Sequence, residues 1–327
     1  MYKNLQRIAI ITPALAGANN GNWQTAQRWA MMLGESYTVD VALETSRLPL
    51  ALDCYQGLIA LHARRSAASL AAFANACPHK PLWLALTGTD VYRDIATDAV
   101  AQASLAHATG LIVLQDDAIG QLPAAYHAKT RVIYQSAPKL DTQKLNRTRI
   151  TADTLKVCVV GHLRAEKSPE TVFEVADKLR ELDTAVEITH IGAALDDTWA
   201  ALARQCASNN PAHYRWLGGL SHDASVQAIL DADVLLHPSA MEGGALAIIE
   251  AVQCTTPVIA SRVSGHIGLM GSDYQGFFSW GDAGQCAALL LRYQSDVVFA
   301  RQLAAQCALR SPLFDVAQEK RALSALM

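Results

Sequence analysis

Hydrophobic residues along the chain alternate between two spacings. Short and nearly continuous apolar runs, such as "RIAIIT" (7–12) and "LKVCVV" (155–160), are followed by stretches with apolar residues every three to four positions. One such stretch predicts a helix from about Trp23 to Leu33, and "GLIVLQ" (110–115) is expected to lead into another. Strands that alternate with helices of this length are typical of βαβ units, so the pattern predicts parallel sheets.

The alternation occurs twice along the chain. Residues 136–154 are polar and lack apolar periodicity, and 327 residues exceed the usual size of a single-core domain. We therefore predict an α/β protein with two doubly wound, Rossmann-like domains and a cleft between them. The first domain covers 1–150 and the second 151–312, while 313–327 form an amphipathic helix that could pack back on the first domain.

Composition narrows the class of protein. The chain is 51% hydrophobic and 17% charged, which is globular, and its apolar runs are too short to span a bilayer. Seven scattered cysteines without C-x-x-C spacing favour a reducing cytoplasm, and dispersed histidines give no metal signal. Residues 1–150 hold 14 basic against 10 acidic residues, whereas 151–327 hold 13 against 20. This imbalance indicates an anionic ligand for the first half but is too small for nucleic-acid binding.

The loops after the predicted strands carry the candidate chemistry, because parallel sheets bind ligands beyond the carboxyl ends of their strands. "TPALAGANNGNW" (12–23) is not G-x-G-x-x-G, which disfavours a dinucleotide-dependent dehydrogenase. "GHLRAEKSPE" (161–170) brings Arg164 and Lys167 to the end of a strand, just before a helix. Two cations beside a helix N-terminus suit a diphosphate.

The stretch "MEGGALAIIEA" (241–251) places Glu242 and Glu250 eight residues apart. At about 3.6 residues per turn this separation is roughly 800°, so both carboxylates lean towards one side of a helix. The intervening glycines let backbone amides approach a phosphate or a sugar closely. The alternative is an amphipathic core helix flanked by solvated acids.

Together, "GHLRAEKSPE" and "HPSAMEGGALAIIEAVQCTTPVIAS" (237–261) resemble the donor-site signature of the GT4-type glycosyltransferases, which have the GT-B fold. The resemblance implies that Glu250 holds the ribose of a UDP-sugar, that Glu242 is catalytic beside the sugar, and that Lys167 neutralises the diphosphate. It implies further donor-binding groups at His162, Arg164, Gly243, Gly244, Ala245 and Leu246. No metal or other cofactor is expected, since cations and a helix terminus stabilise the departing diphosphate in this family.

The chain departs from that family in three places. His162 stands where the family has an arginine, and Thr256 stands where it has a glycine before the next strand. Where the family often has a histidine near the acceptor, this chain has "LTGTD" (86–90). The last departure puts an ordinary sugar-hydroxyl acceptor in doubt.

Segments such as "LIALHARRSAAS" (58–69) and "LALTGTDVYRD" (84–94), with "MEGGA" (241–245) and "GLMGSDYQGFF" (268–278) later, are similar to the GT4-like selenosugar synthases of selenoneine biosynthesis over nearly the whole chain. This similarity implies transfer from UDP-N-acetylglucosamine or UDP-glucose to selenophosphate, giving a 1-selenosugar and UDP. The alternatives are a GT4-like enzyme acting on a hydroxyl or lipid acceptor, and a non-catalytic nucleotide-sugar sensor. Small molecules are therefore the expected partners, and no stable membrane association is expected.

The acceptor is expected to bind to loops of the first half. Arg64 and Arg65 precede Ser66, a plausible N-cap, and two guanidiniums beside a helix N-terminus suit a phosphate, although a solvated arginine pair fits the sequence as well. Asp90 could bind the acceptor or cap the next helix. His62, at a strand end, is a catalytic candidate whose alternative is a neutral buried histidine. The predicted acceptor-binding residues are Asn20, Gly21, Asn22, Arg64, Arg65, Ser66, Thr87, Gly88, Thr89 and Asp90.

Overall fold

The computed structural model of the chain describes residues 5–15, 21–140 and 154–327, which form two compact units. The first unit contains the described residues up to Gln135 together with 242–244 and 316–327. The second contains the described residues of 136–241 and 245–315. Most of the predicted linker, 136–154, lies outside the described residues.

A parallel sheet forms the centre of the first unit, with the strand order β2-β1-β3-β4-β5-β6. Its strands are β1 (Arg7–Ile11), β2 (Thr38–Ala42), β3 (Gly57–Leu61), β4 (Leu82–Leu86), β5 (Gly110–Val113) and β6 (Thr130–Val132). Alternate strand residues belong to two separate buried clusters, so both faces of this sheet are covered.

The helices of the first unit are α1 (Gly21–Leu33), α2 (Ala67–Ala76), α3 (Ile95–Thr97), α4 (Ala99–His107) and α12 (Val316–Ser324). Helix α12 packs on α1, where the buried Trp29 donates from Nε1 to Oε1 of the buried Glu319 at 2.7 Å. Arg28 bonds the same carboxylate, so this buried acid is paired.

The sequence pattern predicts a helix after "GLIVLQ", and this prediction is wrong. The chain instead forms two short 3-10 helices, Asp116–Gln121 and Ala124–Lys129. Pro123 lies between them. Proline lacks the N–H that a continuing helix would use, and its ring clashes with the preceding turn, so one long helix cannot form here.

The second unit has its own parallel sheet, with the order β12-β11-β10-β7-β8-β9. Its strands are β7 (Leu155–Val160), β8 (Val186–Ile191), β9 (Tyr214–Trp216), β10 (Val234–His237), β11 (Val258–Ser261) and β12 (Phe277–Phe278). Its helices are α5 (Pro169–Glu181), α6 (Asp197–Asn209), α7 (His222–Asp231), α8 (Leu246–Gln253), α9 (Ser264–Met270), α10 (Ala283–Ser295) and α11 (Val297–Arg310).

The predicted fold class, two doubly wound α/β domains, is confirmed. The strand order reverses between β1 and β3 in the first sheet and between β7 and β10 in the second. Such a topological switch point opens a crevice beyond the carboxyl ends of the two strands. The loops after β7 and β10 therefore lie side by side in the second unit, as do the loops after β1 and β3 in the first.

All seven cysteines are free thiols, and six of them are buried. Among residues 5–15, 21–140 and 154–327, no helix has both the length and the apolar character that crossing a membrane requires.

Candidate functional site

The loops after β7 and β10 meet at the switch point of the second sheet. The backbone N–H of Ala240, in the loop after β10, donates to the carbonyl of Glu166, in the loop after β7, at 2.9 Å. This bond joins the "GHLRAEKS" and "HPSAMEGG" segments directly. Two motifs that lie about seventy residues apart in sequence thus form one site.

Lys167 ends a 3-10 turn, Ala165–Lys167, just before helix α5. Its partly buried aliphatic stem lies over Gly161, where an added Cβ would be 3.5 Å from Cδ of the lysine. Ser168 follows with φ of 48° and is buried, and its Oγ accepts from Nε1 of Trp280 at 2.9 Å. This left-handed residue turns the chain sharply, so the lysine and the first turn of α5 are adjacent.

The two other basic candidates of this loop, His162 and Arg164, are both partly exposed but have different contacts. Arg164 has a side chain that is 43% exposed, and its Nε lies 4.0 Å from Glu166. His162 accepts the backbone N–H of Ala193 with Nδ1 at 3.2 Å, which ties the loop to the segment after β8. At least one nitrogen of His162 therefore has a structural role, whereas Arg164 reaches the surface of the site.

Glu250 lies in the buried stretch of α8, and its side chain is 7% exposed. Its Oε1 lies 2.6 Å from Nε2 of His222, the first residue of α7. A carboxylate in a buried helical stretch costs free energy unless it is paired, and this short contact supplies a partner. The alternative in which Glu250 is a solvated acid flanking a core helix is therefore wrong.

The start of α8 is tightly built. Ala245, which precedes the helix, has φ of 29°, and its carbonyl accepts from the N–H of Ile248 at 2.8 Å. Leu246 is the first helical residue, so its amide belongs to the uncapped first turn, where N–H groups suit an anion. Ala245 and Leu246 therefore lie at a helix N-terminus without a side-chain cap, and their contacts with a phosphate or sugar stay a prediction.

Residues 242–244 belong to the first unit. A Cβ on Gly243 would lie 2.4 Å from the carbonyl oxygen of Thr87, and one on Gly244 would lie 2.7 Å from Oε1 of Gln135. Both glycines thus permit a close backbone approach within that unit. Glu242, the expected catalytic residue, is 8% exposed in the same segment.

Asp90 organises the turn after β4 through its side chain. It is fully buried, and its Oδ1 accepts the N–H groups of Thr87 and Gly88 at 2.9 and 2.8 Å. Its Oδ2 accepts the N–H of Ala63 at 3.0 Å, which links this turn to the loop after β3. Both carboxylate oxygens thus accept backbone N–H groups, and the expected contact of Asp90 with the acceptor stays a prediction. Thr87 and Thr89 are partly buried on the turn that this carboxylate holds.

Ser66 stands at the predicted N-cap position of α2, but its side chain does not cap the helix. It precedes α2, yet its Oγ donates to the carbonyl of Leu61 at 2.6 Å and makes no cap bond. The preceding arginines are both exposed, and Nε of Arg64 lies 2.9 Å from the carboxylate of Asp98. The two guanidiniums therefore differ, because that of Arg64 has an acidic partner in Asp98.

His62 lies between these two loops. It is buried and has φ of 73°, a conformation uncommon in residues other than glycine. Its Nε2 is 3.3 Å from Oγ1 of Thr89, and its Nδ1 accepts weakly from the N–H of Arg65 at 3.4 Å. Burial lowers the pKa of His62 below its ordinary value, against the opposing charge of Asp90. His62 is therefore a neutral residue that joins the two loops.

The remaining acceptor candidates lie after β1. Gly21 and Asn22 are the first residues of α1, and Gly21 is exposed. Oγ1 of Thr25 donates to the carbonyl of Gly21 at 2.8 Å, which fixes this helix start. Asn20 lies outside the described residues.

Two residues at the candidate site of the second unit, His222 and Trp280, are not predicted from the sequence. His222 pairs with Glu250 across 28 positions, and Trp280 bonds Ser168 across 112. Neither residue stands in a recognisable motif, and no local periodicity marks such tertiary pairs. An Asp-x-Asp triplet, 231–233, lies before β10, where Oδ2 of Asp233 accepts the N–H of Lys156 at 2.8 Å. It therefore belongs to the opposite end of the strands from the candidate site.

Comparison with known sequences gives a family match that includes the candidate site of the second unit. Residues 141–293 match the family described as "Glycosyl transferases group 1". The chain is also 31% identical over 135 residues to the sulfoquinovosyl transferase SQD2 of Arabidopsis thaliana. That alignment spans 40% of this chain and 25% of the relative, so the chain covers only a quarter of its length.

Solved structures resemble the whole described fold. The Anabaena protein Alr3699/HepE, in complex with UDP and glucose, matches with a TM-score of 0.74 and 16% identity over 98% of each chain. The sucrose-phosphate synthase of Thermosynechococcus elongatus matches with a TM-score of 0.75 and 16% identity, again over 98% of each chain. HepE has also been solved with UDP-glucose. At this identity the likeness shows the fold, and the fold is GT-B.

Proposed function

We propose that this protein is a glycosyltransferase that moves the sugar of UDP-N-acetylglucosamine or UDP-glucose to selenophosphate. The main support for a UDP-sugar donor is that two sequence motifs meet at the switch point of the second sheet. There the Ala240–Glu166 bond joins the loop of Lys167 to the segment leading into α8 and Glu250. This region lies within the match to group 1 glycosyl transferases, and HepE, which has the same fold, was solved with UDP-glucose.

The donor residues have separable tasks in this proposal. Glu250 accepts hydrogen bonds from the ribose hydroxyls, because a buried carboxylate is a strong acceptor. Lys167 and Arg164 neutralise the diphosphate, aided by amides of the first turn of α8. As the bond between the sugar C1 and UDP breaks, negative charge grows on the leaving diphosphate, and cations already in place stabilise it.

Selenophosphate supplies the new bond. Its selenium attacks C1 as the bond to UDP breaks, and a C1–selenium bond forms. Water must then cleave the selenium–phosphorus bond, so that phosphate leaves and the free 1-selenosugar remains. Selenium is soft and polarisable, so orientation contributes more to such a reaction than a strong base does.

The loops of the first unit support an anionic acceptor. Arg65 is exposed beside the turn that Asp90 holds, and the first half of the chain has an excess of basic residues. His62 accepts an N–H at Nδ1, so its neutral ring carries hydrogen on Nε2, facing Thr89. In this tautomer Nε2 is a donor and not a base, which agrees with an acceptor that needs no deprotonation.

The test is to incubate the protein with UDP-N-acetylglucosamine or UDP-glucose and with selenophosphate, phosphate, a thiol or a simple sugar in turn. We expect a 1-selenosugar by mass, together with UDP and phosphate, only where selenophosphate is present. Transfer to the simple sugar, with selenophosphate inert, would replace the proposed acceptor by a hydroxyl. Binding of UDP-sugar without any UDP release would instead identify a nucleotide-sugar sensor.

A further inference from the structure

The contact between His222 and Glu250 joins a half-exposed ring to a buried carboxylate. The side chain of His222 is 49% exposed and that of Glu250 is 7% exposed. An ionised carboxylate can only accept, so Nε2 of His222 carries the hydrogen of the 2.6 Å bond. The histidine therefore fixes one oxygen of the carboxylate from the solvent side.

The backbone of His222 is itself well fixed. The preceding Ser221 is the N-cap of α7, and its Oγ accepts the N–H of Ala224 at 3.3 Å. Helix α7 packs on α8, so the ring is presented to the helix that bears Glu250. Nδ1 of His222 lies 3.8 Å from the fully exposed carboxylate of Asp223.

Helix stability does not account for a histidine at this position. The first turn of a helix favours negative charge and disfavours a protonated imidazole. A surface ion pair would also gain little, whereas this pair satisfies a carboxylate that is buried in α8. The geometry is that of a partner that sets the orientation of another side chain.

We propose that His222 is a positioning residue, which holds the Glu250 carboxylate in the orientation that receives the ribose hydroxyls of the nucleotide. This inference rests on the proposed donor site. With Oε1 engaged by Nε2 of His222, Oε2 remains for the ligand, and the contact restricts rotation of the side chain. The histidine thereby stabilises the bound nucleotide without touching it.

The test measures the affinity of UDP, and of a UDP analogue whose ribose lacks both hydroxyls, by calorimetry. His222→Ala is expected to weaken UDP binding about five- to tenfold. The same change should leave the affinity of the analogue nearly unchanged, because the analogue has no hydroxyls for Glu250 to hold. His222→Gln, which retains an N–H near the position of Nε2, should restore most of the UDP affinity.

Further variants separate positioning from a general effect on the fold. In a Glu250→Ala background, His222→Ala should have no additional effect on UDP affinity, because the two residues act together. Asp223→Asn is the matched control, since this neighbour does not contact Glu250, and it should change UDP affinity less than about twofold.

The outcomes are distinguishable. Equal losses for UDP and the analogue, or an unchanged UDP affinity in His222→Ala, would overturn the positioning role and leave the proposed function standing. An analogue that binds the unmodified protein as tightly as UDP does would overturn the ribose role of Glu250 and the role of His222 with it. Failure of the unmodified protein to bind UDP would instead overturn the proposed donor.

Discussion

The two units use the loops that follow their strands in different ways. In the second unit, one backbone bond joins the loops after β7 and β10, whose sequences resemble a donor-site signature. In the first unit, the loops after β3 and β4 are joined by the side chain of Asp90, which accepts three backbone N–H groups. A polar residue just after a strand can therefore bind a ligand or build the loop that does so, and its type alone does not decide which.

The largest effect should come from breaking the loop-building role in the first unit. Asp90→Ala leaves three N–H groups without their acceptor, two of them buried and one partly buried, at about 1–3 kcal/mol for each buried group. We expect the free energy of unfolding, measured in denaturant, to fall by at least about 3 kcal/mol. Asp98→Ala is the control, because Asp98 lies at the surface and caps α4, and it should cost about 1 kcal/mol. If the Asp90 variant were as stable as the control, the contrast between the units would fail.

Local sequence patterns predict most helices and strands of the fold, but they do not predict which elements pair with one another. The predicted helix from Trp23 to Leu33 is present, because its apolar residues face one buried side. In the structure it begins two residues earlier, at Gly21. The helix expected after β5 is absent there because Pro123 interrupts it, a breaker that outweighs apolar content. The order of strands in the two sheets depends on contacts between distant segments and leaves no local signal.

In the candidate site, too, the positions of motif residues could be predicted, whereas contacts between distant segments could not. The positions of Lys167 and Glu250 could be predicted, because a motif fixes the strand, turn and helix around them. The roles of Asp90 and Ser66 could not, because their bonds to the backbone depend on the exact path of the loops. The pairing of His222 with Glu250 joins two helices, so neither helix predicts it alone.

Glu242 differs from the other donor candidates, because its motif resembles the donor signature while residues 242–244 are part of the first unit. In the proposed reaction it acts beside the sugar, so Glu242→Gln should lower kcat on the order of a hundredfold. The Kd of UDP should change little, since the nucleotide does not need this residue. Equal losses in kcat and in UDP affinity would contradict the separation of roles.

Lys167 tests the charge of the donor loop. Lys167→Ala should weaken UDP binding by about 1.5–3 kcal/mol, because a charge-assisted contact with the diphosphate is lost. Uridine, which lacks the diphosphate, should bind with unchanged affinity in calorimetry. Lys178→Ala is the control on the neighbouring helix α5, and it should affect neither ligand. Similar losses for UDP and uridine would remove Lys167 from the diphosphate site.

The smallest effect should distinguish the two arginines of the first unit. Arg65→Ala should raise the KM for selenophosphate about tenfold, because an exposed guanidinium near the turn is lost. Arg64→Ala should raise it less, since Nε of Arg64 already lies 2.9 Å from Asp98. Both variants should retain their affinity for UDP. The reverse ranking of the two KM values would show that the Asp98 contact does not govern the use of Arg64.

The proposed donor, its orientation and the role of His222 all depend on the proposed contact of Glu250 with the ribose. The most direct measurement is a calorimetric titration of UDP into the unmodified protein and into Glu250→Ala. Loss of a hydrogen-bonded carboxylate should weaken UDP binding by about 1.5–3 kcal/mol, which is roughly ten- to a hundredfold in Kd. An unchanged Kd in the variant would contradict the placement of the nucleotide at α8.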